Sequence, residues 1–394
     1  MIMSMPSSSP SLPLLMYLPL LLTLIFLTST VNSLTNPSDV FALNAFKSTI
    51  SPSSISPWSC LASWNFSSDP CATPRTTHFI CGITCSADST RVIAITLDPA
   101  GYSGPLSSLI SNLSALNHLD LSENSFYGPI PPSISSISTL QTLILRSNSF
   151  SGGLPPSLSA LYNLETLDIS RNALAGFLPQ TLASLSSLKV LDLSFNGFVG
   201  GIPKLPRNLG QLAMKGNYLS GALLETSFQG LNQLEVVELS SNKFRGVLKG
   251  WLFLLPSIQQ IDLANNSLTS VEVGDAKATM SDLVAVDLGY NQIEGQLPVN
   301  FATYPSLSAL SIRYNRLLGG IPWEYGKKWS LRRLFLDGNF LNGKVPDVFF
   351  SNGVSISGSF GDNCLVGCPR SQQLCGQKQK SASLCKRVYR KRPY

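Results

Sequence analysis

The sequence predicts an α/β solenoid: a curved, right-handed superhelix of about eleven coils, with a parallel β-sheet on its concave side and disulfide-tied caps at both ends. Three observations predict it. The stretch Leu119-Asp120-Leu121-Ser122-Glu123-Asn124-Ser125-Phe126-Tyr127-Gly128-Pro129-Ile130-Pro131 returns along most of the chain. Its asparagine, Asn124, recurs as Asn148, Asn172, Asn196, Asn217, Asn242, Asn266, Asn291, Asn315 and Asn339. The steps are 24, 24, 24, 21, 25, 24, 25, 24 and 24 residues, inside the range of roughly 20 to 29 that marks stacked coils. Finally, all 8 cysteines lie outside these repeats.

Taken in order, residues 1–33 read as a secretory signal. An apolar run from Leu12 to Leu27 precedes Val31-Asn32-Ser33, small enough for cleavage after Ser33. The run is short for a membrane span and is interrupted by Pro13 and Pro19. Residues 34–90 read as an N-terminal cap, opening with a helix whose Val40, Leu43 and Phe46 fall on one face. Residues 91–350 hold the coils. In Leu-x-Leu-x-x-Asn the two leucines share one face of a strand, as Leu119 and Leu121 or Leu143 and Leu145 do. Burying each contributes roughly 1.5–3 kcal/mol. A single coil cannot close a core, so neighbours share one. The asparagine is expected to turn inward and bond backbone groups of its own and adjacent coils. Gly-x-Ile/Leu-Pro then bends the chain. A divergent first coil spans Arg91 to Gly104, with Ala100 in the asparagine slot. The coil before Asn217 is three residues short, and those at Asn242 and Asn266 lose the Gly-x-Ile-Pro turn, which reads as a local change of coil shape or equally as neutral drift. Residues 351–394 read as a C-terminal cap with a basic tail.

The repeat resembles the plant-type leucine-rich repeat, Leu-x-x-Leu-x-Leu-x-x-Asn-x-Leu-x-Gly-x-Ile-Pro, over roughly residues 91–350. The chain is similar to ectodomains of plant receptor kinases and receptor-like proteins, and to secreted polygalacturonase-inhibiting proteins. Ser63-Trp64-Asn65 and Gly82-Ile83-Thr84-Cys85 match the cap of that family. An insertion from Ala72 to Ile80, and the lack of a tryptophan before Gly82, depart from it. Cys60, Cys71, Cys81 and Cys85 in one flank and Cys364, Cys368, Cys375 and Cys385 in the other read as disulfides of an exported chain. Four cysteines allow three pairings, and we lean towards Cys60–Cys71 with Cys81–Cys85. Zinc or another metal is not expected.

The chain has 394 residues and a formal charge of +6. Seven cations without an acid sit in residues 376–394, namely Lys378, Lys380, Lys386, Arg387, Arg390, Lys391 and Arg392. The rest is therefore near neutral, which excludes a whole-protein nucleic-acid footprint. Outside the leader no stretch is apolar enough to cross a membrane. No kinase Gly-rich loop or His-Arg-Asp sequence occurs, and no lipid-anchor tail.

Candidate sites lie on the concave strands. Asp120, Asp168, Asp192, Glu238, Asp262 and Asp287 form an acidic row four residues before their asparagines, where aspartate is usual for the repeat. Further on the slots hold Tyr290, Arg313, Tyr314, Arg332, Arg333 and Phe335. Aromatics beside arginines anchor protein interfaces and suit anionic ligands. His118, Asp120 and Ser122 share one face, but their spacing along an extended strand, roughly 6.5–7 Å per two residues, is too long for a catalytic triad. Asn65, Asn112 and Asn265 begin glycosylation sequons.

The expectation is a secreted recognition protein, not an enzyme and without cofactor. It would bind a protein or peptide on its concave face, with a receptor kinase among the partners, in plant cell-surface signalling or defence. The alternative is an inhibitor of a microbial wall-degrading polygalacturonase. The basic tail would hold anionic cell-wall polysaccharide, and the location would be the apoplast, the wall or the outer plasma membrane.

Overall fold

The computed structural model describes residues 34–72, 82–276, 281–351 and 356–391. The leader at 1–33, Cys81 and Arg392 lie outside the described residues. Among the described residues the main sheet has 13 strands. The first, Ile83–Cys85, is antiparallel to Val92–Thr96, and the remaining twelve run parallel from Val92–Thr96 to Ser357–Ser359. Neighbouring strands pair in strict repeat register, as Leu119 with Leu143 and Leu143 with Leu167. That register follows from the leucine spacing, because a slip of one residue would turn the whole ladder towards water.

Behind the asparagines, short strands from Ser103–Pro105 to Ser267–Val271 build a second sheet of 8 strands. Helical turns such as Pro132–Ser136 and Pro156–Ala160 close the opposite side. The coil before Asn217 has no helical turn between Gly197–Gly200 and Gln211–Ala213, which accounts for its three missing residues. Where Gly-x-Ile-Pro is lost, the paired strands lengthen to Lys243–Leu248 and Ser267–Val271, with a register shift between Gly246 and Val247.

The asparagines bond from coil to coil in one column. Asn148 Oδ1 accepts the N–H of Phe126 in the preceding coil at 2.9 Å, and its Nδ2 donates to Leu121 at 2.9 Å and to Leu145 of its own coil at 3.1 Å. Asn266 repeats this with Phe244, Leu239 and Leu263 at 3.0, 3.1 and 3.1 Å. The residue before the asparagine is bent into the left-handed region: Glu123, Ser147, Arg171, Phe195, Ser241, Asn265, Tyr290 and Tyr314 have φ between 50° and 57°. A side chain there costs roughly 1–2 kcal/mol.

The cap helix spans Pro37–Ser48, with Asn36 accepting the N–H of Ser38 at 2.9 Å. Its Phe46 stacks on Phe126, 6.0 Å between ring centroids, and Phe126 on Phe150 at 6.2 Å, so the cap continues the aromatic spine of the coils. Asp39, wholly buried, holds Arg91 in a bidentate pair at 3.0 and 3.1 Å and accepts the N–H of Val92 at 2.8 Å.

Two expectations change. The disulfide is Cys71–Cys85, with Cα atoms 5.8 Å apart, in place of the pairs Cys60–Cys71 and Cys81–Cys85. Cys60 is also disulfide-bonded. Because Cys71 and Cys85 are bonded to each other, neither can take the partner expected for it. Second, the coils run past Phe350. Ser357–Ser359 pairs with Arg333–Phe335, and Asn363 joins the column through Leu341, Leu336 and Phe360 at 3.0, 3.0 and 3.1 Å. This twelfth coil is hard to see because glycine holds a ladder slot: a Cβ on Gly358 would lie 1.8 Å from the Leu334 carbonyl oxygen. The basic tail, whose order the sequence left open, is helical as far as it is described. Residues Ala382–Lys391 form a helix, tied down by Cys364–Cys385, while Cys368–Cys375 closes the loop before it.

Asn363→Ala and Asn266→Ala are each expected to destabilise by about 1–3 kcal/mol, because the backbone donors and acceptors they satisfy stay buried. Denaturant unfolding, with amide exchange at Leu341 and Phe244, reads the effect; unchanged protection at Leu341 would remove Asn363 from the column.

Candidate functional site

Most of the acidic row does local work. Asp120, Asp168, Asp192, Asp262 and Asp287 each accept the backbone N–H two residues on, at 2.8–3.0 Å. Such Asx turns end a strand. Burial raises the carboxyls of Asp168 and Asp262 above their ordinary range. Glu238 pairs instead with Lys215 at 2.8 Å. Asp120 is therefore engaged with the backbone of Ser122 and does not orient His118 as a triad requires.

Further along, the inner wall deepens into a cavity of about 300 Å³. Its floor is low because Ala285, Ala309 and Ser311 stand where other coils carry longer side chains. Glu238, Asp262 and Asp287 line one side, and Arg313, Arg333 and Phe335 the other. Arg313 is fixed from below: its Nη2 lies 2.8 Å from Oδ2 of Asp337, which is wholly buried, and this bond raises the guanidinium pKa further. The Arg313 guanidinium also sits 5.0 Å from the Phe335 ring and 5.6 Å from that of Tyr314.

Tyr290 and Tyr314 form a platform on the rim. Their rings stack at 4.7 Å and 14°, with 51% and 39% of each residue exposed. Both stand in the left-handed slot, where a bulky residue is an outlier. Tyr314 lies over Gly338, whose Cβ, if present, would meet the ring at 2.5 Å. The six expected residues thus divide. Arg313, Arg333 and Phe335 line the cavity, Tyr290 and Tyr314 flank it, and Arg332 turns away to donate to the Trp329 carbonyl at 3.0 Å. Asp337 and Ser311 were missed. The signal for Asp337 is its place 24 residues after Arg313, the same slot one coil on.

Asn265 is exposed and in the left-handed slot beside the wall, whereas Asn266 is buried in the column. Asn65 is exposed and Asn112 half-buried.

A repeat scaffold with a parallel inner sheet and a charge-divided inner wall defines the class. The comparisons narrow it. The Leucine rich repeat profile matches residues 138–198 and 207–268, a second Leucine Rich Repeat profile 115–137, and the Leucine rich repeat N-terminal domain 36–86. The chain belongs to the plant-type leucine-rich repeat proteins. Receptor like protein 27 of Arabidopsis thaliana is 33% identical over 96 residues, 24% of this chain and 11% of that protein. The structure of PEPR1 with AtPEP1 is similar at a TM-score of 0.74 and 33% identity, over 83% of this chain and 45% of that one. The plant peptide hormone receptor RGFR1 in complex with RGF2 gives 0.64 and 28%, over 71% and 46%. The chain thus spans less than half the length of each. Among the described residues no helix is long and apolar enough to cross a membrane.

The raised carboxyls fix a pH dependence. In the unfolded chain an aspartate titrates near 3.9. A folded-state pKa above that value means the folded protein binds the proton more readily, so stability rises as pH falls through the folded pKa. Asp262→Asn keeps the acceptor and removes the charge. It is expected to unfold no more easily than the parent at neutral pH and to show less of the acid-side gain, whereas Asp262→Ala loses about 1 kcal/mol. Tyr314→Gly is expected to leave stability within about 1 kcal/mol, since released backbone strain offsets the lost stacking. Chemical unfolding of the three variants at neutral pH and between about pH 4 and pH 5 tests both statements.

Proposed function

We propose that this chain is a secreted recognition module that binds a peptide or protein segment on its concave face at the C-terminal coils, in cell-surface signalling or defence. The observation that carries this reading is the charge-divided cavity: acids on one side, Arg313 and Arg333 on the other, beside an exposed aromatic pair held in a strained backbone slot. An extended segment crossing the wall would set an anionic group on the arginines and a ring or proline on the tyrosines. Because Asp337 holds Arg313 rigid, little ordering cost falls on binding. The likeness to solved receptors that hold peptides supports the same reading. The chain acts without catalysis, and a receptor kinase relays its signal. Residues 1–33 direct it to the apoplast, the wall or the outer face of the plasma membrane, and Asn65, Asn112 and Asn265 carry glycans. A glycan on Asn265 would narrow access from one side.

Inhibition of a microbial polygalacturonase is the alternative, resting on repeat type alone. It predicts inhibition in a fungal polygalacturonase assay.

Arg313→Ala is a poor probe because it strands Asp337 as a buried charge, at a cost of about 3–5 kcal/mol. Arg333→Ala with Phe335→Ala leaves that pair intact. Affinity capture from plant plasma-membrane and apoplastic extracts is expected to yield a partner that this double variant retains at least about tenfold less, a loss of about 1.4 kcal/mol. Equal capture by parent and variant would end the concave-face reading.

A further inference from the structure

The basic run near the C-terminus is not used by the concave site, and it is not a loose tail. Residues Ala382–Lys391 form a helix with two faces. Leu384, Cys385, Val388 and Tyr389, spaced as one helical stripe, are half-buried against the last coils. Cys385 is bonded to Cys364, and Tyr389 Oη donates to the Phe340 carbonyl at 2.6 Å while accepting from the Gly319 N–H at 3.2 Å. The opposite stripe, Ser383, Lys386, Arg387 and Arg390, is exposed and lines an open concavity of about 360 Å³. No acid follows Asp362 in the chain, and Asp362 is itself paired with Lys380 at 2.9 Å.

We infer that this helix is a docking ridge for a carboxylated polysaccharide, independent of the concave site. Three features select that class. The cations are exposed, and a single exposed ion pair contributes at most about 1 kcal/mol, so a small anion would not be held. A polymer that repeats its carboxylates can engage several cations at once and gain by multivalency. Arg387 and Arg390 offer planar forks that fit carboxylates two bonds at a time. A lipid surface fits less well. An interfacial helix needs a free apolar face, and here that face is consumed by the protein and locked by a disulfide. The local alternative is that the cations only complement the helix dipole at its C-terminal end.

The test uses the full secreted chain on immobilised polygalacturonate, at about 50 mM salt, where screening is weak. The parent is expected to be retained and to elute well below about 1 M salt, where the screening length falls to roughly 3 Å. The triple variant Lys386→Gln, Arg387→Gln, Arg390→Gln is expected to bind at least about tenfold more weakly. A charge-matched control, Lys204→Gln, Arg207→Gln, Lys243→Gln, is expected to stay within about twofold, because the same charge is removed away from the ridge. Monomeric galacturonate is expected not to bind. Circular dichroism and disulfide mapping check that helix and bond persist in the triple variant. Equal losses in both triple variants, retention unchanged in the ridge variant, or a triple variant that loses the helix but keeps retention would overturn the inference. So would binding to phosphatidylserine vesicles or duplex DNA at the same strength. Loss of partner capture by the concave variant leaves this result untouched, so the two readings fail separately.

Discussion

Everything in this molecule depends on one buried amide. Each column asparagine accepts an N–H from the coil before it and donates back to that coil and its own, as Asn291 does with Leu268, Leu263 and Leu288 at 3.0, 3.0 and 3.1 Å. The bend after the strand leaves backbone groups without ladder partners, and leaving such groups unpaired in the interior costs about 1–3 kcal/mol apiece. The asparagine turns that liability into the bond between coils. Apolar burial supplies the driving force, but leucine contacts alone are non-directional. The amide converts a stack of greasy turns into one with a fixed register.

That register has a cost and a use. The tight bend puts the preceding residue in the left-handed region, and two coils relieve the strain with glycine, Gly216 and Gly338. The others accept it. The result is a row of side chains fixed along the rim at strand spacing, with orientations that packing alone would not impose. Arg171 over Phe195 at 4.6 Å is one product of the row, and the tyrosine pair is another. The relief at Gly338 permits Tyr314 to lie flat, so the strain and the platform belong to the same arrangement.

The repeat period made most of the fold readable, and it also marks where reading fails. A period reports slots, so the column, the strand faces and the cap helix followed from residue types. It does not report which slot points where at a strand end. Arg332 and Arg333 are adjacent in sequence, yet only Arg333 lies in the strand that lines the cavity. The twelfth coil was hidden because Gly358 and Phe360 replace its leucines, although Asn363 keeps the step of 24 from Asn339. Cysteine order carries no geometry, so the pairing had to wait for the strand at Ile83–Cys85. Whether the basic run is ordered could not be read from its charge, although Leu384, Cys385, Val388 and Tyr389 carry a helical stripe.

The two ends of the solenoid solve the same problem differently. A terminal coil exposes half of a hydrophobic ladder, and some device must cover it. At the N-terminal end the cover is apolar and continuous with the core, through Phe46, and is keyed by the buried charge of Asp39. At the C-terminal end the final strand carries Gly358 and serines, so little apolar surface is left to cover. There the closure is mostly polar and covalent: Gln379 and Lys380 side chains bond backbone groups of the last coil, and two disulfides hold the loop. A cover fastened by covalent bonds and backbone contacts does not need its outer side chains for stability. That frees the exposed face of the last helix to concentrate charge of one sign, which a cap held only by burial could not carry without weakening the fold.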